Sequence, residues 1–162
     1  MKAASIKELK QELNIRSQSE LMELCLHLSK FKKENKELLT YLLFEASDEA
    51  AYIENIKTEI KHEFTQINKK SYYYIKKSVR KILRSIKKYI RYSKKKETEV
   101  ELLLYFCSEL KKMSPSIYNN IPLSNLFIRQ IGLIKKTVSS LHEDLQFDYG
   151  MELNEIMSKG NN

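Results

Sequence analysis

Only three glycines and two prolines interrupt these 162 residues. Tight turns and hairpins draw on glycine and proline for their backbone angles, so a sheet-rich or loop-rich domain is disfavoured at the outset. Lys, Glu and Leu, all good helix formers, fill the sequence instead. The chain is predicted to be all-α, with six to eight helices arranged as an antiparallel bundle or a short helical-repeat (α-solenoid-like) stack.

Capping signals and 3.6-residue periodicity place the helices. Ser5 with Glu8, and Ser17 with Glu20, read as capping boxes opening the first two helices. Leu21, Leu24, Cys25 and Leu28 form an apolar stripe on the second. A third helix starts near Glu34 and carries Leu38, Leu39, Leu42 and Leu43. Ser47 or Asp48 caps a fourth, with Ala50, Ile53, Ile56, Ile60, Phe64 and Ile67 at helical spacing. A basic helix follows over residues 70–93, then a sixth over 97–113 with Val100, Leu103, Leu104, Cys107 and Leu110 inward.

Both prolines fall in the break at 114–122. The next helix includes Ser124 in its first turn and runs to about Leu141, with Gly132 placed for a close helix approach. A short last helix begins near Asp144 or Met151 and ends by Met157. The organisation expected is one domain over 1–158 with a disordered tail at 159–162. Lys32-Lys33-Glu34 with Glu37-Leu38-Leu39 is echoed by Lys95-Lys96-Glu97 with Glu101-Leu102-Leu103. That echo would relate two helical triplets as repeats.

Cys25 and Cys107 sit in apolar helical stretches and read as small buried hydrophobes. Two cysteines make no disulfide framework for a chain of this size. The N-terminus lacks the apolar core of a secretory signal, and the longest apolar runs are too short to span a bilayer. The expectation is a cytoplasmic protein.

Charge is placed unevenly. Residues 65–96 carry 13 Lys or Arg and no Asp or Glu, while the remainder carries 16 basic and 21 acidic residues. On a helix, Ile75, Val79, Ile82, Leu83, Ile86, Tyr89 and Ile90 gather on one side within roughly 120°. Lys76, Lys77, Arg80, Lys81, Arg84, Lys87, Lys88 and Arg91 gather on the other, with Tyr73 among them. Like charges four residues apart repel by a few tenths of a kcal/mol each. An anionic partner could offset this: nucleic-acid backbone, an acidic protein face or lipid headgroups. So could the chain's own acidic fourth helix (Asp48, Glu49, Glu54, Glu59, Glu63). Alternatively the stripe is a solvated face in a lysine-rich chain.

Catalytic patterns are missing. There is no glycine-rich phosphate loop, nucleophile elbow or Cys/His metal spacing. Glu59 and His62 form one E-x-x-H, whereas carboxylate-bridged metal bundles need two and further glutamates. No catalytic, cofactor-binding or metal-binding residue is assigned. The opening Ser5-Ile6-Lys7-Glu8-Leu9-Lys10-Gln11-Glu12-Leu13, with Ser19-Glu20-Leu21-Met22-Glu23-Leu24 and Glu37-Leu38-Leu39, resembles a family of uncharacterised bacterial helical proteins over the first 45 residues or so. That resemblance implies no activity and no site. The functional expectation is a non-enzymatic binding or scaffolding protein whose partner is another protein or a second copy. The alternative is a nucleic-acid-binding accessory protein using the basic helix; a membrane partner is disfavoured, because a globular core needs the helix's apolar face.

Overall fold

The computed structural model describes residues 1–158, so the expected tail at 159–162 lies outside the described residues. Among those described there are eight α-helices and no strand, and the chain divides into two compact units, residues 1–44 and residue 45 onward.

The first unit holds α1 (Ile6–Asn14), α2 (Gln18–Phe31) and α3 (Lys33–Thr40). Both capping boxes form. Ser5 Oγ accepts the Glu8 N–H at 3.3 Å and Glu8 Oε2 accepts the Ser5 N–H at 2.7 Å. Ser17 and Glu20 repeat the exchange at 3.3 and 2.8 Å. These bonds satisfy amides the helix leaves orphaned; the Ser5 hydroxyl, donating at 2.7 Å, and then the Ser5 N–H hold the Glu8 carboxyl below the ordinary glutamate range, and the Ser17 N–H and then its hydroxyl do the same for Glu20. α2 packs on α3, and Asn35 Nδ2 donates to the Leu28 carbonyl at 2.8 Å.

The side chains of this unit depart from expectation. No residue of α1, α2 or α3 is buried. The stripe of Leu24, Cys25 and Leu28 exists but faces solvent. Leu42 and Leu43 also point outward, because α3 stops at Thr40 and a π-helical turn takes over at Tyr41–Glu45.

The second unit holds α4 (Glu49–Thr65), α5 (Tyr72–Ser93), α6 (Lys96–Lys112), a 3₁₀ turn (Ile117–Asn119), α7 (Ile121–Val138) and α8 (Glu143–Ser158). α6 is its centre and packs against α4, α5, α7 and α8. The five residues expected inward are buried, and so are Leu102, Phe106 and Thr98. A helix apolar over so much of its circumference belongs inside a core. Asp48, not Ser47, caps α4 through the Ala51 N–H at 3.0 Å; Ile53, Ile56, Ile60, Phe64 and Ile67 are buried with Tyr52, while Ala50 in the first turn is exposed.

Several expected boundaries move. Pro122 sits in the first turn of α7, where its missing N–H is an orphan anyway, and α7 ends at Val138. Gly132 permits no close approach, since nothing lies within 4 Å of where its Cβ would be. The last helix is sixteen residues long, anchored by buried Tyr149 and Leu153. The echoed blocks start their helices alike, from extended Lys32 and Lys95 without a side-chain cap. The likeness ends there: α3 is eight residues with no burial, α6 seventeen at the heart of a core.

The cysteines separate for the same reason. Cys107 on α6 is fully buried, and burial pushes its thiol up to about 12. Cys25, expected to be buried, is exposed on α2. A thiol reagent at neutral pH is therefore expected to titrate one cysteine per chain in dilute native protein and two in denaturant. Two fast-reacting native thiols would contradict the packing of α6.

A polar cluster ties α4, α6 and α8 together. Glu101 accepts the Lys57 ammonium at 3.0 Å and the Tyr149 hydroxyl at 3.2 Å, and Lys57 also reaches Glu54 at 2.8 Å. Burial lowers the Lys57 pKa, but its bonds to Glu54 and Glu101 outweigh this and the net shift is upward. Tyr149 is raised by burial and then by the charge of Glu101. Each raised group contributes stability that is complete below its unfolded pKa and is lost as pH climbs through the folded one. Thermal stability is thus expected to fall above about pH 10, where free Lys and Tyr titrate. Glu101→Gln should lower stability at pH 7 by about 1–2 kcal/mol through weakened charge-assisted bonds and make the alkaline fall shallower. Calorimetry from pH 7 to 11 checks this; an unchanged alkaline slope would count against the cluster.

Candidate functional site

α5 is held by one side only. Ile75, Val79, Ile82, Leu83 and Ile86 are buried, in a helix packed against α4 and α6; Tyr89 and Ile90 are half-buried. Locking that side fixes the opposite one outward. Lys77, Arg80, Lys81, Arg84, Lys87 and Arg91 are exposed, and Lys76 and Lys88 are half-buried. At 100° per residue, Arg80, Arg84, Lys87 and Arg91 fall on one line within about 60° of arc, spread over roughly 16 Å of helix at 1.5 Å per residue.

The acidic residues of α4 do not cover this line. Glu49 accepts hydrogen bonds from the Ser93 and Thr98 hydroxyls, the latter at 2.6 Å, and pairs with Lys95 at 3.0 Å. Glu54 is engaged by Lys57. Glu59 takes the Tyr89 hydroxyl at 3.0 Å. Asp48 is the α4 cap. Among the described residues, no carboxylate pairs with Lys76, Lys77, Arg80, Lys81, Arg84, Lys87 or Arg91. The ammonium of Lys88 lies 4.9 Å from the ring centre of Tyr89. The mutual repulsion of the stripe is therefore left in place, and a bound anion would relieve it.

The tyrosine run divides by function. Tyr72 donates to the Ser116 carbonyl at 2.8 Å and so fastens the start of α5 to the segment before α7. Tyr73 and Tyr74 remain exposed, at 66% and 45%, with rings edge to face and centres 5.3 Å apart. An open hollow of about 590 Å³ is bordered by Tyr73, Lys76, Lys77, Arg80, Arg84 and Lys87, with Leu83 among them. Leu83 and Tyr74 were not singled out from the sequence as site residues. Leu83 belongs to the apolar arc by spacing, and Tyr74 falls outside the basic arc that Tyr73 shares.

Glu59 and His62 do not assemble a metal site. Glu59 is turned to Tyr89, His62 is exposed on the last turn of α4, and among the described residues no three His, Cys, Asp or Glu side chains come together. His142 stands at the start of α8, where its Nδ1 accepts the Asp144 N–H at 3.4 Å. Among the described residues, no helix is long and apolar enough to cross a membrane. No family model, no curated protein and no solved structure matches this chain.

Proposed function

We propose that this chain is a non-enzymatic binding protein that holds the phosphate backbone of a nucleic acid along the outer side of α5. The observation that carries the reading is the set of seven cations without an ion-pair partner among the described residues, displayed on one side of a helix whose other side is fixed in a core. Four aligned cations over about 16 Å match a length of duplex axis along which each strand places on the order of five phosphates, one per about 3.4 Å of axis. Guanidinium groups suit phosphate because they offer paired donors in a plane. Tyr73, exposed along the same line, offers a face on which an unpaired base could stack.

The arrangement supplies phosphate contacts and no pattern for reading base edges, so the binding is expected to be weakly sequence-selective and strongly salt-dependent. A lipid surface fits less well, because the apolar side of α5 that would enter the bilayer is buried in the protein. Fluorescence anisotropy with mixed-sequence single-stranded and duplex oligonucleotides tests the reading. Binding at about 50 mM salt that is lost by about 200 mM is expected. No binding at the lower salt would overturn it.

A further inference from the structure

The first unit presents a different surface. α1 and α2 bury no side chain, and Ile6, Leu13, Met22, Leu28 and Phe31 are between 44% and 81% exposed. On α1, Ile6, Leu9 and Leu13 make one apolar line. On α2 the apolar residues from Phe31 round to Leu26 cover about 220° of the circumference at 100° per residue. A helix with one neighbour needs an apolar arc of only about 100°. α3 is one neighbour of α2; the rest of the arc calls for another.

We infer that a second copy of this chain supplies it, with the α1 and α2 faces of one copy packed against those of the other about a two-fold axis. Three observations select this occupant. The first is size: a helical unit of about 40 residues rarely holds a core of its own and usually needs disulfides, metals or association. The second is area. Nine large apolar side chains stand exposed between Ile6 and Phe31. At roughly 100 Å² each, about half of what a fully buried large side chain covers, they present on the order of 1,000 Å². A standard interface needs about 800 Å² per partner. The third is charge. Residues 5–31 carry four basic and four acidic side chains, and Arg16 bridges Glu12 and Glu20 at 3.6 and 3.5 Å. A neutral face meets its own copy without repulsion, whereas a strongly charged partner would find nothing to match. Isologous contacts of this kind are the commonest in soluble oligomers.

Light scattering after size exclusion tests this on the full chain. From 1 to 100 µM, the mass is expected to rise from one chain of 19.2 kDa to about twice that. Leu9→Glu with Leu28→Glu should keep it at one chain at every concentration, with helix content retained. Hydrogen exchange guards against a variant that merely misfolds: in the wild-type chain, amides of residues 6–31 should slow as concentration rises, while those of α6 do not change. Charge reversal on α5 should leave the mass unaltered, so a failure of the nucleic-acid reading and a failure of this one are separable. A monomer throughout the range, as an unrelated protein or the chain's own second unit as occupant would give, overturns the inference. So does a dimer that survives both glutamates, or concentration-dependent protection confined to residues outside 6–31.

Discussion

Arg80, Arg84, Lys87 and Arg91 changed together to glutamate are expected to take nucleic-acid binding from measurable at about 50 mM salt to none, with the helical content of the parent. All four are exposed, and among the described residues none has a carboxylate partner whose loss would disturb the fold. Their reversal turns the attracting line into a repelling one while leaving Ile75, Val79, Ile82 and Ile86 in the core. Positions 80/84 and 87/91 stay like-charged i,i+4 pairs, while 84/88 and 76/80 become opposite in sign against the remaining Lys88 and Lys76; each pair is worth a few tenths of a kcal/mol, so stability should change little. A single change gives a graded result. Arg84→Ala should weaken binding about equally across sequences and reduce the salt slope by about 1, as the loss of one phosphate contact does. Titration with labelled oligonucleotides, paired with far-UV circular dichroism, reads both quantities.

Phe106→Ala should lower the unfolding free energy by about 3–5 kcal/mol, the range for emptying a well-packed phenylalanine site. Phe106 is fully buried on α6, with its ring centre 5.8 Å from that of Phe64 on α4. Its loss opens a cavity where α6 meets its neighbours, and the fully buried Leu102, Leu103 and Leu110 around the same helix leave little freedom to collapse into it. At roughly 3 °C per kcal/mol for a chain of this length, the melting temperature should fall by about 10–15 °C. Ile128→Ala on α7, where the side chain is 63% exposed, should stay within about 0.5 kcal/mol. Equal effects from the two substitutions, measured by chemical denaturation, would show that α6 is not the centre of the core.

What the sequence revealed depended on how far apart the interacting groups lie. Ser5 with Glu8 and Ser17 with Glu20 were legible as helix starts because a capping box closes within three residues. The two sides of α5 were legible because a 22-residue helix repeats its pattern several times. The fate of the α4 carboxylates was not. Glu49 meets Thr98, and Glu59 meets Tyr89, across distant stretches of chain, and nothing local announces either pairing.

Periodicity also shows that a face is apolar without showing what covers it. Leu103 and Cys107 on α6, and Leu24 and Cys25 on α2, look alike as sequence, yet the first pair is buried and the second faces solvent. Breadth does not separate them: Leu102 and Phe106 widen the apolar arc of α6 to about 200° at 100° per residue, and that of α2 is as wide, so what differs is the set of distant helices that pack on α6. α8 was harder to delimit, since its buried contacts reduce to Tyr149 and Leu153 and a glycine interrupts it at Gly150. For the basic side of α5, the sequence identified the cations but left open whether the chain neutralises them itself. The directions taken by Glu49, Glu54 and Glu59 answer that for α4.

The dependence of binding on salt tests the central claim most directly. For duplex DNA each neutralised phosphate contributes about −0.9 to the slope of log K against log salt, and the line from Arg80 to Arg91 reaches four or five. A slope of about −4 for the wild-type chain is the result predicted, with none measurable once Arg80, Arg84, Lys87 and Arg91 are reversed. A slope near zero, or the same slope in the reversed variant, would contradict the assignment of α5 as the site.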